Sequence, residues 1–256
     1  MAARVSVVIP AYNAGSYLRP AALSVLACAK DGAEAVVVDD GSTDGSVAAL
    51  SDLPVRVVRQ PRNLGLGAAR NAGVRAAKGA FITFLDGDDL LTAAGLAPRA
   101  EFLEKNPQAW GVGGLPSTLI DERGAALAPV FERMKAKLAF PLTLTLDRYR
   151  AGDFFPVQCS LYLHRRETFA RVGPYDETRG AVEDCDFHFR LLEKTDVPVI
   201  PVPAFERRLH GSNLSMAGSK PREFAFKPEL LESIRRVNER HGMKPSAVAP
   251  WELDYL

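Results

Sequence analysis

Cysteine is nearly missing from this 256-residue chain. Cys28, Cys159 and Cys185 are odd in number and far apart, which argues against a disulfide framework or a paired-cysteine metal site and leaves reduced, mostly buried thiols as the expectation. Long apolar runs are missing as well. Pro10 ends the run from Val5 to Ile9, which is too short for a signal-peptide core or a membrane span, and no later run approaches the length a transmembrane helix needs. A cytoplasmic chain is therefore expected, with any membrane contact peripheral and at the inner face. An excess of one charge is missing too: 32 Lys+Arg against 31 Asp+Glu give a formal +1, so bulk charge offers no case for a nucleic-acid partner.

What is present describes a globular protein. Hydrophobic residues make up 47% and charged residues 25%, enough to bury a sizeable core in one large domain. Short apolar runs at Val5 to Ile9, Ala35 to Val38, Val55 to Arg59 and Ala80 to Leu85 alternate with helical stretches around Tyr17 to Ala29, Gly45 to Leu50 and Gly65 to Ala77. That alternation is the mark of βαβ units around a mostly parallel sheet flanked by helices. Right-handed crossovers would bring the loops after the strands to one edge, where open α/β sheets bind ligands.

Polar residues collect in those loops. Pro10-Ala11-Tyr12-Asn13-Ala14-Gly15 follows the first strand, and Asp39-Asp40-Gly41-Ser42-Thr43-Asp44-Gly45-Ser46 ends the second. The fourth runs into Asp86-Gly87-Asp88-Asp89. Thr43 or Asp44 suits a helix cap, whereas adjacent Asp39 and Asp40 at a strand end also suit hydrogen bonds from a base or sugar. Mutual repulsion among Asp86, Asp88 and Asp89 favours a divalent cation or protonation, although a turn and helix start would use the same residues. The element Asn63-Leu64-Gly65-Leu66-Gly67-Ala68-Ala69-Arg70-Asn71-Ala72-Gly73 is not a dinucleotide fingerprint: Arg70 takes the third glycine position and the element follows the third strand. Its small residues suit close backbone approach, and Arg70 suits a phosphate or base as well as an exposed surface.

Taken in order, SVVIPAYNAG, VVVDDGSTDGS, NLGLGAARNAG and FLDGDD resemble the N-terminal third of a family 2 glycosyltransferase. The resemblance implies the GT-A fold, a single Rossmann-like, mostly parallel sheet with a smaller C-terminal acceptor-side portion. It also implies a nucleotide-diphosphate sugar donor, UDP-sugar favoured, and a divalent metal, Mn2+ or Mg2+. Pro10, Ala11, Tyr12, Asn13, Asp40 and Arg70 would then line the nucleotide, Asp86 and Gly87 its ribose side, and Asp88 would hold the metal, with Asp39 supporting the loop. The segment Ala181-Val182-Glu183-Asp184-Cys185-Asp186 resembles the family's Glu-Asp motif. That makes Asp184 the general base and Glu183 an acceptor contact, although acidic residues also suit the positive end of a helix. Glu206 to Ser215 resembles the late basic-His loop, with His210 as second metal ligand; His164, His188 and His241 have no such support.

The expected layout is a catalytic domain over 1–220, donor-binding to about 115 and acceptor-binding beyond, then a C-terminal helix and tail over 221–256 packed on it. Two amphipathic stripes, Phe131, Met134 and Leu138, then Leu230, Leu231, Ile234 and Val237, suit packing on the domain or a membrane surface, and packing is the favoured reading. The acceptor class is a glycan, a lipid-linked molecule or a small molecule. The alternatives are a nucleotidylyltransferase, disfavoured because no basic Gly-rich phosphate loop follows Ile9, and a silent nucleotide-sugar-binding module. Oligomeric state is not legible.

Overall fold

The computed structural model describes residues 3–151, 158–178, 182–211, 213, 216–217, 225–226 and 239. The stripe Leu230, Leu231, Ile234 and Val237, together with His241 and nearly all of the expected tail, lies outside the described residues.

The first half is built as expected. β1 (Val5–Ala11), β2 (Ala33–Asp39), β3 (Arg56–Arg59) and β4 (Phe81–Phe84) lie in the order β3-β2-β1-β4, all parallel, with α1 (Leu18–Leu26) and α2 (Leu66–Ala76) as crossovers. Every residue of β1 is buried, because a parallel strand covered on both faces needs an unbroken apolar run. The expected helix around Gly45 to Leu50 is only a single 3-10 turn, Ala48–Leu50. Asp44 accounts for part of this: its carboxylate accepts from the Ser46 N–H and hydroxyl, a local turn that competes with helix.

The second half mixes strand directions. After β5 (Leu90–Leu91) and α3 (Ala93–Lys105) come β6 (Gly111–Ile120), β7 (Ala126–Pro129), α4 (Val130–Lys137), β8 (Leu142–Leu144) and α5 (Leu146–Ala151). They are followed by β9 (Tyr162–Arg165), α6 (Arg166–Val172), α7 (Glu183–Leu192) and β10 (Val197–Arg208). The sheet continues β4-β9-β6-β10-β5, with β9 antiparallel to both neighbours and β10 parallel to β6. A separate short pair, β11 (Met216–Ala217) and β12 (Ala225–Phe226), pairs backbone across position 220.

Two glycines of the Gly-rich element serve packing. A Cβ on Gly73 would strike the Val8 side chain, and one on Gly67 would press on the Asp176 carbonyl, so α2 can lie close to β1 and to the 176–177 segment only without those atoms. The stripe of α4 packs inward: Met134 is buried and Phe131 and Leu138 lie against the core, as favoured over a membrane surface. Among the described residues no helix is long and apolar enough to cross a membrane.

β9, α6 and α7 enclose an aromatic cluster of Tyr162, His164, Phe169, Tyr175, Phe187 and His188. His188 Nδ1 donates to the Asp184 carbonyl at 2.8 Å, which leaves Nε2 a buried acceptor with no hydrogen-bond partner among the described residues. Burial pushes the His188 pKa down to about 4, and the same cause holds His164 well below the ordinary histidine range. Because the folded state resists protons that the unfolded chain accepts, stability is full above the unfolded pKa of about 6.5 and is lost as pH falls towards 4. For His188 the loss is on the order of 3 kcal/mol. Denaturant unfolding between pH 7 and 4 should show this slope, and His188→Gln should flatten it.

Candidate active site

The strand order reverses between β1 and β4, and the loops that follow these two strands meet there. A Cβ on Gly87 would lie 3.3 Å from the Pro10 carbonyl and 3.4 Å from Ala14 Cβ, which measures how closely they approach. Pro10 and Ala11 are the last residues of β1 rather than loop residues, and Tyr12 projects with 49% of its surface exposed. Asn13 adopts φ 49° and staples two loops: its N–H donates to Ser42 Oγ at 3.1 Å while its Oδ1 accepts from the Thr43 N–H at 2.8 Å. Asp44 Oδ2 adds a bond from the Gly15 N–H at 2.8 Å.

The adjacent pair Asp39 and Asp40 divides its work. Asp39 Oδ1 accepts from the Ser42 N–H at 2.8 Å, and its Oδ2 faces Arg59 Nε at 3.8 Å. Asp40 Oδ1 accepts from Gln60 Nε2 at 2.8 Å and the Leu64 N–H at 2.7 Å, and Oδ2 from the Gly65 N–H at 2.8 Å. Asp40 thus closes the entrance to α2, with Gly65 at φ 95°. Asp39 thus holds the loop after β2 through Ser42, while the Asp40 carboxylate turns to the backbone N–H groups that open α2.

Arg70 is 3% exposed, so the surface reading fails. Its Nη2 donates to Asp86 Oδ1 at 3.3 Å, its Nη1 is paired with Glu183 Oε1, and its guanidinium lies 5.8 Å from the ring centroids of both Phe84 and Tyr175. Glu183 is 1% exposed. Where an acceptor contact was expected, the Glu183 carboxylate is turned inward to Arg70. Asp184, beside it in the first turn of α7, is half-buried, and its Oδ1 accepts from the Cys185 N–H at 2.8 Å. Burial pushes its pKa up to about 6; Arg70 opposes the rise and Asp86 adds to it.

The carboxylate cluster is separated in three directions. Asp86 faces Arg70, and Asp88 Oδ2 lies 2.9 Å from His210 Nε2. Asp89 is buried, with Oδ1 accepting from the Arg208 N–H at 2.8 Å. Burial, then the like charges of Asp88 and Asp86, push Asp89 well above the usual carboxylate range. The Asp88–His210 pair fits a divalent ion: two ligands at right angles with bonds of about 2.1 Å stand about 3 Å apart, and carboxylate with imidazole is a donor set for manganese-like ions. Among the described residues no third His, Cys, Asp or Glu completes a cage, so further oxygens would come from ligand or water.

Sequence reasoning missed four contributors. Gln158 Nε2 reaches Asp86 Oδ2 at 3.4 Å and Asp89 Oδ2 at 3.2 Å. Asn71, next to Arg70, donates to the Tyr175 carbonyl at 2.9 Å and accepts from the Tyr175 N–H at 2.9 Å, tying α2 to the segment leading to α7. Tyr17 stacks on His210 with centroids 4.7 Å apart. Asn213 Nδ2 lies 3.3 Å from Asp88 Oδ2. The only signal for Asn71 and Asn213 was proximity to Arg70 and His210; Tyr17 and Gln158 gave none.

Comparison with known proteins bears on the family and the fold. The description Glycosyl transferase family 2 matches residues 6–167, a span that ends before Asp184 and His210. The chain is 28% identical over 240 residues to an uncharacterized glycosyltransferase, EpsJ, of Bacillus subtilis, covering 91% of this chain and 67% of that protein. It is 46% identical over 178 residues to the succinoglycan biosynthesis protein ExoO of Rhizobium meliloti, covering 68% of this chain and 48% of that one. The chain thus spans about half to two thirds of these relatives. Among solved structures, S. aureus TarS 1-349 in complex with UDP superposes with TM-score 0.64 at 20% identity, over 95% of this chain and 68% of that one. The same fragment with UDP-GlcNAc gives 0.64 at 20% identity over 91% and 65%. At that identity the likeness establishes the fold, that of a GT-A glycosyltransferase.

Removing the Asp40 carboxylate strands partly buried donors at the start of α2. Asp40→Ala should lower the unfolding free energy by about 2 kcal/mol, read from denaturant titration at constant slope.

Proposed function

The chain belongs to glycosyl transferase family 2, and from that membership we propose that it is a metal-dependent, inverting glycosyltransferase moving a sugar from a nucleotide-diphosphate donor to a hydroxyl acceptor. The observation that carries this reading is buried Arg70, which meets both Asp86 and Glu183 and so sets the donor-side loop beside the start of α7, where Asp184 stands. A UDP-sugar is the favoured donor, supported by the UDP and UDP-GlcNAc complexes of TarS. The name of ExoO, a succinoglycan biosynthesis protein, supports polysaccharide or cell-envelope glycan synthesis; in this reading the acceptor is a glycan or lipid-linked molecule met at the cytoplasmic side of a membrane.

Residues to about 115 form the donor side and those from 116 to 220 the acceptor side. Pro10, Ala11, Tyr12, Asn13 and Asp39 receive the nucleotide, with Asp40 holding the loop beneath it, and Asp86 and Gly87 meet the ribose. Asp184 accepts the proton of the acceptor hydroxyl as that oxygen bonds to the anomeric carbon, and the carbon–oxygen bond to the diphosphate breaks with its electron pair leaving on the diphosphate. One such displacement inverts the carbon and needs no covalent enzyme intermediate. A carboxylate with a pKa near 6 stays ionised at neutral pH yet is a stronger base than an ordinary aspartate. Asp88 and His210 would hold the divalent ion, Mn2+ or Mg2+, which when bound offsets charge on the leaving diphosphate. Arg70 adds positive charge beside the same loop, and Glu183 orients Arg70 from behind.

Asp184→Asn should lower transfer by about 10²- to 10⁴-fold while nucleotide binding is retained; near-normal turnover would remove Asp184 as the base. For the wild type, kcat/KM should fall as pH drops through about 6, where the free carboxylate takes up a proton. Asp88→Ala and EDTA should each weaken donor binding, and unchanged donor affinity in both would overturn the metal assignment. Release of nucleoside diphosphate, with no pyrophosphate, separates this activity from nucleotidyl transfer.

A further inference from the structure

We propose that Arg208 is a positioning residue for the cation site, locking Asp88 and His210 into one geometry; this rests on the reading that those two residues hold a divalent ion. Arg208 ends β10, two residues before His210, and is 4% exposed. It is joined to the Asp88 loop in both directions. Its backbone N–H donates to Asp89 Oδ1 at 2.8 Å, and its side-chain Nε donates to the Asp88 carbonyl at 2.8 Å. Each partner thus gives one backbone group and one side-chain group, so neither strand end can slide along the other without breaking a buried bond.

The guanidinium reaches further. Nη1 donates to the Asp121 carbonyl at 2.9 Å and the Glu122 carbonyl at 3.2 Å, anchoring the assembly to the turn after β6. Its centre lies 5.1 Å from the Tyr17 ring centroid, and that ring stacks on His210 with an interplanar angle of 28°. The Arg208 carbonyl accepts from Asn213 Nδ2 at 3.2 Å, while Asn213 Oδ1 accepts from the His210 N–H at 2.8 Å, which fixes the direction of the amide. Asn213 Nδ2 then lies 3.3 Å from Asp88 Oδ2 and 3.1 Å from His210 Nε2. The amide nitrogen, a donor and not a metal ligand, faces both coordinating atoms.

Such partners behind the ligands govern affinity by holding ligand atoms in place before the ion arrives. A lysine cannot reproduce the arrangement, because its single ammonium cannot span the Asp88 carbonyl and the 121–122 carbonyls as a planar fork does.

The test measures manganese binding to the whole protein by the electron spin resonance of free Mn2+, alongside uridine diphosphate binding in EDTA and thermal unfolding. Arg208→Gln and Arg208→Lys should each weaken manganese binding by about 10- to 100-fold while metal-free uridine diphosphate binding stays within about twofold, with lysine giving no rescue. Should the Arg208 variants fail to fold, Asn213→Ala carries the test, with manganese binding weakened by about 10-fold. Manganese affinity within about twofold of wild type in the folded variants, or a parallel loss of metal-free nucleotide binding, would overturn the inference. A wild-type protein that binds no manganese would instead remove the metal reading itself, and this inference with it.

Discussion

A guanidinium at 3% exposure is sustained only by partners on more than one side, and Arg70 has Asp86, Glu183 and two aromatic rings. Burial works against its charge, yet its anionic surroundings more than offset that and hold it protonated. The three charged groups come from α2, the loop after β4 and the start of α7, regions separated by more than a hundred residues of sequence at the widest. Their pairing fixes where the C-terminal half sits against the N-terminal half. Gly67 and Gly73 make the pairing reachable, since α2 could not approach β1 or the 176–177 segment with larger residues there. Asn71 adds neutral hydrogen bonds to the same junction.

The loops after β1, β2 and β3 are ordered by one another rather than by regular structure. Asn13 bridges to Ser42 and Thr43, Asp44 to Gly15, and Asp40 to Leu64 and Gly65, so three loops share a connected set of charged and amide acceptors. Loops held in this way lose less freedom when a ligand arrives, which favours binding without further contacts. Tyr12 stays half in solvent at the rim of this ordered frame, with an apolar ring face available to a planar ligand.

Strands and strand ends were legible because burial on both faces leaves a continuous apolar signature, and each polar cluster marks where that burial stops. The stretch at Gly45 to Leu50 misled because composition allowed a helix, whereas the Asp44 carboxylate engages Ser46 locally. Roles within the acidic clusters were harder to read. Asp39 and Asp40 are neighbours of the same type, and which one turns inward depends on where Leu64 and Gly65 lie, information carried by a chain segment more than 20 residues away. The inward turn of Glu183 was hidden for the same reason, since its partner Arg70 is remote in sequence. Arg208 sat inside a recognised loop, but its meaning lies in the Asp88 carbonyl, 120 residues distant.

The acidic loop after β4 resolves its own repulsion by sending each carboxylate to a different environment. Asp86 is balanced by Arg70, Asp88 is set against His210, and Asp89 is withdrawn into the interior, where burial favours its neutral form. In the proposed function this leaves Asp88 as the member of the loop presented to a cation. Asp184 is drawn into the same balance, because after burial the next influences on its proton are Arg70, which favours the charged form, and Asp86, which opposes it. The proton affinity of Asp184 is therefore governed in part by groups on α2 and in the loop after β4. In the proposed function, donor recognition and proton acceptance share one set of charges, so the two halves of the chain must meet for either task to have its proper electrostatics.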